Sequence, residues 1–336
     1  MQKSDFPLLA NHPEIIYLDN AATTQKPAIV IDGVSRFIQN DYANIHRGLY
    51  SLSENSELHY HNSKKLVSEL INCTPKEIIY TANATASFNL LAQSLVNSGF
   101  LGKGDAVLVG IRDHHANTLP WMSLAKQFGF EVRFFGLNNQ FEVNYEDFQQ
   151  KYTPEVKVVS CGQVSNVTGR IYDVKKIWSL LRKDTFFVVD ASQSVPNMPV
   201  DMKEINCDAL IFTAHKMMAY TGLGVLALKH QRVKELQPLS VGGGTIKDVS
   251  CDGFELQSNN EKFEAWTPNI IGAVSLEYAL EYLKTLSPEK TLKSSLQIIS
   301  EHEKKLAEYA LEKFHLLKEQ VKIIGPISED RVALFS

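Results

Sequence analysis

Seven short runs of apolar residues, spaced along the first 230 residues, limit the folds open to this chain. They are rich in Val, Ile and Phe and lie at 77–82, 106–110, 132–136, 156–161, 186–191, 209–214 and 224–229. Amphipathic stretches with helical periodicity separate most of them, as at 84–98, 119–129 and 173–183. Runs that are apolar on both faces and alternate with helices are typical of a parallel sheet covered on both sides. The sequence therefore predicts an α/β core with a mainly parallel sheet.

The pattern changes after about residue 240. Glycines and charges interrupt the periodicity there, which indicates a long excursion or hairpin over the core. Helical periodicity returns near 269–286 and 289–319, and apolar runs at 321–325 and 331–336 are typical of strands. A strand at the end of the chain would leave an unpaired edge, so we expect a second, smaller α+β domain that is incomplete.

Charge and cysteine usage exclude several classes of protein. The formal net charge is −4, from 34 basic and 38 acidic residues, so we expect no partnership with nucleic acid or with an anionic membrane. The four cysteines form no CxxC pair, and no histidine cluster has metal-ligand spacing, so we expect no metal site and a reducing environment. No apolar run approaches 18 residues. These features predict a cytoplasmic protein.

Polar residues follow several of the apolar runs. In open α/β sheets, ligands bind beyond the carboxyl ends of the strands. The candidates at those positions are Thr85, His114, Asn166, Asp190 and Lys216.

One apolar run is followed by a lysine, and another ends with an aspartate. A lysine amine at a strand end, with a cation nearby, has a lowered pKa and can form a Schiff base with a carbonyl; the alternative for Lys216 is an ordinary surface lysine. Asp190 ends the run 186–191, where a carboxylate needs a cationic partner. A protonated pyridine nitrogen would serve and would keep pyridoxal phosphate an electron sink. An N-cap or a core ion pair is the alternative for Asp190.

Donors for a phosphate group lie near the same strand ends. Thr85 and the amides around Ala84 open a helix, and Thr213 and His215 flank the lysine. Plain helix capping is the alternative for Thr85. Gln193 either donates to the ring's phenolic oxygen or faces solvent.

Two adjacent histidines follow the run 106–110. One imidazole, of His114 or His115, could stack on a flat cofactor ring and move protons near neutral pH. The other would be structural, and local hydrogen bonding is the alternative for both.

Nine segments together resemble the pyridoxal-phosphate enzymes of fold type I, and more closely the cysteine desulfurase and selenocysteine lyase branch of the class V aminotransferase superfamily. They are YLDNAATTQKP (17–27), ANIHRGLYSLS (43–53), DHHANTLPW (113–121), VSNVTG (164–169), VVDASQSVP (188–196), CDALIFTAHK (207–216), TGLGVL (221–226), VGGGTI (241–246) and FEAWTPN (263–269). The resemblance implies a large cofactor-binding domain at 17–285 and a small domain made of 1–16 and 286–336.

The resemblance also implies a role for each candidate. Lys216 would form the imine with pyridoxal 5′-phosphate, Asp190 would pair with the pyridine nitrogen, and His114 would stack on the ring and transfer protons. Gln193 would contact the phenolic oxygen, and Asn166 would contact the substrate carboxylate. The phosphate would be bound by Thr85, Thr213 and His215. Thr267 would contact the phosphate bound by the other subunit of a homodimer. The implied reaction takes L-cysteine, or selenocysteine, to alanine and leaves the sulfur as an enzyme persulfide for an acceptor protein.

Three departures from the family's pattern stand out. The phosphate loop is ANATAS, which has Ala84 where the family has a hydroxyl donor, so we expect a lower cofactor affinity. Trp266 replaces a glycine at the expected subunit interface. The segment that carries the family's nucleophilic cysteine and carboxylate-binding arginine has no counterpart before Ser336, and no cysteine here lies at a matching position. We expect this polypeptide to bind the cofactor without completing persulfide transfer through that cysteine.

Three hypotheses follow. The first is a cysteine desulfurase that serves iron–sulfur cluster assembly and is incomplete as given. The second is a selenocysteine lyase or another class V lyase or aminotransferase. The third is a non-catalytic paralogue that acts through binding or dimerisation.

Overall fold

The computed structural model describes residues 1–45, 48–265, 267–327 and 330–336. Its strands are β1 (Ile78–Thr81), β2 (Ala106–Gly110), β3 (Glu131–Phe135), β4 (Val156–Gly162), β5 (Phe186–Asp190), β6 (Ala209–Thr213), β7 (Gly224–Leu228), β8 (Ile246–Ser250) and β9 (Gly253–Leu256). Its α-helices are α1 (Pro7–Asn11), α2 (Ala28–Asn40), α3 (Ser51–Ile71), α4 (Ala84–Asn97), α5 (His115–Phe128), α6 (Tyr145–Lys151), α7 (Val174–Ser179), α8 (Met202–Ile205), α9 (His230–Glu235), α10 (Ile270–Lys284) and α11 (Leu292–Leu316).

The seven apolar runs form one sheet, as the sequence predicts. Its strand order is β1-β7-β6-β5-β4-β2-β3. Strands β6, β5, β4, β2 and β3 are parallel to one another, whereas β7 runs antiparallel to both β1 and β6. The predicted mainly parallel α/β core is therefore confirmed, with β7 as the single reversed strand of this sheet.

Helices cover both faces of the sheet. Because side chains alternate along a strand, Leu108 of β2 packs with α2, α3 and α10 on one face, while its neighbour Val107 packs with α4 and α5 on the other. Trp121 of α5 is fully buried in the second layer. This two-sided burial explains why the central strands carry almost no polar residues.

The irregular stretch after residue 240 contains the predicted hairpin, which β8 and β9 form. The predicted helices near 269–286 and 289–319 are also confirmed, as α10 and α11.

The two strands predicted at 321–325 and 331–336 are wrong. Residues 321–325 have no regular pairing, and Arg331 makes an isolated bridge to Arg170. The backbone of 330–332 exchanges only two hydrogen bonds with residues 169 and 171, at 3.0 Å each. An apolar run needs a continuous partner to become a strand, and the described part of the chain offers only this short one. The division at residues 16/17 and 285/286 stays a prediction.

Candidate functional site

A cavity of about 420 Å³ opens at the carboxyl ends of the parallel strands, where the topology rule for α/β sheets places ligand sites. Nine of the ten sequence-predicted site residues line it: Ala84, Thr85, His114, Asn166, Asp190, Gln193, Thr213, His215 and Lys216. They are separated by up to 132 positions in sequence, and the fold brings them to one place.

Lys216 lies on a short 3₁₀ turn, Ala214–Met217, that follows β6. The side chain is half-buried, and burial lowers the pKa of its amine, an effect that the negative charge of Asp190 partly opposes. A larger neutral fraction makes the amine a better nucleophile. An ordinary surface lysine is fully solvated and has no such pKa shift, so that alternative does not hold for Lys216.

Asp190 ends β5 with 9% of its surface exposed. Its Oδ1 atom accepts a hydrogen bond of 2.9 Å from the backbone N–H of Ser192, so the residue forms a local turn and caps no helix. Its charge acts on the titration of both Lys216 and His114. A carboxylate held in this way at the cavity wall can receive a cationic ring nitrogen.

The start of helix α4 forms one end of the cavity. Asn83 is the N-cap residue, and its Oδ1 atom accepts from the N–H of Ala86 at 2.9 Å. The capping alternative for Thr85 is therefore wrong, and its exposed hydroxyl lies within the first turn beside the cavity. The first amides of a helix have no intrahelical acceptor, so those of Ala84 and Thr85 suit an anion.

A glycine brings this helix start to the sheet. A Cβ atom on Gly224 would lie 2.3 Å from the backbone carbon of Asn83. The side chain of any other residue at the start of β7 would therefore displace the α4 start. The glycine is therefore needed for that approach.

The turn that carries Lys216 is held by the N-terminal segment 19–24. The Thr24 hydroxyl donates to the carbonyl of His215 at 2.9 Å and accepts from the N–H of Met218 at 2.7 Å. The Nδ1 atom of His215 lies 3.1 Å from the hydroxyl oxygen of Thr23. Burial, and then the neighbouring positive charge of Lys216, lower the pKa of the His215 imidazole. From sequence, Thr23 and Thr24 were noted only as members of the segment 17–27, and neither was given a role.

Gln193 and Thr213 make further contacts. The Gln193 amide nitrogen donates to the carbonyl of Ala21 at 2.9 Å, which joins the same N-terminal segment to the end of β5. The Thr213 hydroxyl makes a long contact of 3.5 Å with the carbonyl of Leu223. Both side chains also line the cavity, where each keeps hydrogen-bonding capacity.

His114 is the N-cap residue of α5. Its Nδ1 atom accepts a hydrogen bond of 3.1 Å from the N–H of Ala116, which places the proton of the neutral ring on Nε2. Burial lowers the pKa of the imidazole, the charge of Asp190 opposes this, and Lys216 adds to it. His115 is exposed and does not line the cavity. Of the two adjacent histidines, His114 is therefore the one that can act in the cavity.

Asp113 and Arg112 also line the cavity, and we did not single them out from sequence. The Oδ2 atom of Asp113 accepts from the N–H of Gly162 at 3.1 Å and from the side chain of Asn117 at 2.9 Å. Burial raises the pKa of the Asp113 carboxyl to about 8, against the effect of these hydrogen bonds. Both residues lie within three positions of the end of β2, so the rule about strand ends could have found them.

Thr267 lies outside this cavity. It is exposed, and it is not among the lining residues. The neighbouring Trp266, to which we attached an interface effect, lies outside the described residues, as do His46 and Arg47 of the segment 43–53. No cysteine of the chain lines the cavity in the described structure: Cys161 and Cys207 are buried, and Cys251 is exposed on the β8–β9 turn.

Among the helices of the described residues, none has the length and apolarity needed to cross a bilayer.

Comparisons with known proteins agree with this geometry. The sequence profile of the aminotransferase class V family matches residues 16–335. A probable cysteine desulfurase of Borreliella burgdorferi is 32% identical in an alignment of 326 positions, gaps included, that covers 94% of this chain and 75% of that protein. One from Streptomyces coelicolor is 35% identical in an alignment of 344 positions that covers 99% of this chain and 80% of that protein. The apo structure of a cysteine desulfurase from Thermococcus onnurineus superposes with a TM-score of 0.90 at 33% identity, covering 98% of this chain and 80% of that one.

Proposed function

The chain belongs to the class V aminotransferase family, whose enzymes depend on pyridoxal 5′-phosphate, and from that premise we propose that it is a cysteine desulfurase that converts L-cysteine to L-alanine. The observation that carries the proposal is the meeting of Lys216, Asp190 and the start of α4 around one cavity. The reaction itself is inferred from the similar proteins that bear the name cysteine desulfurase.

The donor set of the cavity fits the cofactor. An aldehyde needs an amine, a pyridine nitrogen needs an acidic partner, and a phosphate needs amides and hydroxyls. Lys216 would hold the first, Asp190 the second, and the amides of Ala84 and Thr85, with the side chains of Thr213 and His215, the third. When bound, the cofactor supplies an electron sink for the electrons released at the substrate Cα.

Lys216 and His114 would have different roles toward the substrate. Because burial favours the neutral amine, the Nζ atom of Lys216 can accept the proton that leaves the substrate Cα. The neutral ring of His114 keeps its hydrogen on Nε2, because Nδ1 accepts from Ala116, so it can donate a hydrogen bond from Nε2 to a leaving group in the cavity. Asn166, on the β4–α7 connection, would orient the substrate.

Partners and location belong to the same proposal. We propose a homodimer in which Thr267 contacts the phosphate bound by the other subunit; its exposure and its position outside its own cavity support this. We further propose that an acceptor protein takes the sulfur for iron–sulfur cluster assembly, and that the protein is cytoplasmic, which its four free cysteines support.

The cofactor assignment is tested by loading the protein with pyridoxal phosphate and recording its visible spectrum before and after borohydride reduction. We expect a band that shifts on reduction in the wild type and in the exposed-surface control Lys183→Ala, and that is lost in Lys216→Ala. An unchanged band in Lys216→Ala would refute the assignment of Lys216. Alanine and sulfide would then be measured from L-cysteine, and selenide from selenocysteine, with an excess of dithiothreitol as the thiol that takes up the sulfur or selenium and reduces it. If selenide is released in strong preference to sulfide, the enzyme is a selenocysteine lyase and not a cysteine desulfurase.

A further inference from the structure

We propose that Asn117 is a positioning residue for His114: it ties the start of α5 to the ends of β2 and β4, and so fixes the place and the ring orientation of that histidine at the cavity wall. The proposal rests on the proposed function, because it concerns the histidine that would donate a hydrogen bond to the leaving group. Asn117 is not among the residues that line the cavity, so it can act only through its neighbours.

The Asn117 side chain forms a buried bridge. The residue has no exposed surface, and a buried amide is costly unless its polar atoms have partners. Its Nδ2 atom donates to Oδ2 of Asp113 at 2.9 Å, and its Oδ1 atom accepts from the Ser160 hydroxyl and, at 3.4 Å, from the indole N–H of Trp121. Because an indole N–H can only donate, the Trp121 contact determines which way the amide faces. The bridge therefore joins the first turns of α5 to Ser160 of β4.

At the other end of the bridge, the carboxyl group of Asp113 lies between two glycines. Gly110 ends β2 and Gly162 ends β4, and Cβ atoms on them would lie 2.8 and 3.3 Å from Oδ1 of Asp113. The Oδ2 atom also accepts from the N–H of Gly162 at 3.1 Å. Since Asp113 directly precedes His114, this contact holds the chain on one side of the histidine, and Asn117 holds it on the other.

The hydrogen bonds of His114 depend on the same turn. The backbone N–H of Asn117 donates to the His114 carbonyl at 2.8 Å, and the N–H of Ala116 donates to its Nδ1 atom at 3.1 Å. If the first turn of α5 shifts against β4, Nδ1 loses its donor, and the hydrogen of the neutral ring is no longer confined to Nε2. An apolar side chain at position 117 could be buried equally well, but apolar contacts are not directional and would leave the turn free to shift.

The test compares the full chain, loaded with pyridoxal phosphate, as wild type, Asn117→Ala, Ser160→Ala and the matched control Asn260→Ala. Asn260 is also a buried asparagine, 6% exposed, and its side chain donates to the carbonyl of Ile78 at 2.5 Å. Neither Asn260 nor Ile78 lines the cavity, so this variant loses a buried amide without touching the start of α5.

The first measurement is nitrogen-15 NMR of the histidine rings, with the His114 signals assigned by their loss in His114→Gln. We expect one tautomer, with the hydrogen on Nε2, in the wild type and in Asn260→Ala, and a mixture of both tautomers in Asn117→Ala. The second measurement is alanine release from L-cysteine with excess dithiothreitol. Because a displacement of about 1 Å can cost about 10²-fold in rate, kcat of Asn117→Ala should fall about tenfold to a hundredfold, with KM within about threefold.

Ser160→Ala removes one arm of the bridge, and we expect kcat to fall about threefold to tenfold. Adding it to Asn117→Ala should cause no further loss, because the two changes break the same contact. A wild-type tautomer and kcat in Asn117→Ala, or an equal loss of kcat in Asn260→Ala, would overturn the proposal. If Asn117→Ala does not fold, a wild-type tautomer and kcat in Ser160→Ala would overturn it instead. If the wild type releases no alanine, the proposed function fails, and the tautomer measurement still decides the role of Asn117.

Discussion

Replacing Glu264 with glutamine should destabilise the protein far more than the same change at an exposed ion pair. Glu264 accepts from the ammonium of Lys64 at 2.9 Å, from the Tyr60 hydroxyl at 2.8 Å and from the N–H of Tyr80 at 2.7 Å. The side chains of Lys64 and Glu264 are only 5% and 4% exposed. The pair fixes the segment that leads to Thr267, three residues later in the chain.

The magnitude follows from burial. Removing one partner of a buried ion pair leaves an uncompensated charge and costs about 3–5 kcal/mol. With an unfolding entropy of about 2.1 cal/mol/K per residue, a chain of 336 residues changes by about 0.7 kcal/mol per degree, so the melting temperature of Glu264→Gln should fall by about 4–7 °C.

An exposed pair of equal length provides the control. Lys247 and Glu255 also lie 2.9 Å apart, but both side chains are 62% exposed. Such pairs contribute about 0–1 kcal/mol, so Glu255→Gln should lower the melting temperature by less than about 1.5 °C. The assay is thermal unfolding followed by circular dichroism, with urea unfolding as a second measure. Equal shifts in the two variants would refute the burial argument, and adding Lys64→Met to Glu264→Gln should recover part of the loss.

Three further changes address the cavity. The pKa of the Asp113 carboxyl is about 8 in the folded protein and about 3.9 in an unfolded chain, so the wild type should lose stability as pH rises between these values, and Asp113→Asn should not. Between pH 5 and 8, the unfolding free energies of the two proteins, measured by urea titration, should diverge by up to about 4 kcal/mol. This value is an upper limit because water in the cavity screens the carboxylate. Parallel pH curves would contradict this. Gly224→Ala should weaken cofactor binding at least tenfold in absorbance titrations, whereas Gly243→Ala, where a Cβ meets nothing within 4 Å, should not. His114→Ala should lower kcat about 10²–10⁴-fold and His115→Ala little; since the His114 pKa is lowered, wild-type turnover should persist below pH 6.5.

The sheet and most of the cavity could be predicted from sequence because both follow local rules. Buried parallel strands need unbroken apolar runs, and ligands bind at their carboxyl ends, so the position of Asp190 at the end of β5 predicted where its side chain would lie. The same rule applies to Arg112 and Asp113. Their residue types did not indicate a site, because an arginine and an aspartate beside two histidines suggest an ordinary polar turn.

The failures involve partners distant in the chain. The run 321–325 has the composition of a strand, but composition does not supply a neighbour to pair with. Thr85 was open to a capping role, and its neighbour Asn83 takes that role. The clamp of Thr24 on the turn of Lys216 joins residues about 190 positions apart, which no local pattern reveals.

The place of β1 in the sheet bears on how the protein is made. Thr81 pairs with Gly224, about 140 residues later in the chain, and β1 has no other neighbour in the sheet. At a synthesis rate of about 5–20 residues per second, the start of α4 would wait roughly 7–30 s on the ribosome before the strand that positions it is complete. The end of the cavity formed by the start of α4 is therefore one of the last parts of the core to be assembled, and a nascent chain should become able to capture its cofactor only when β7 has emerged.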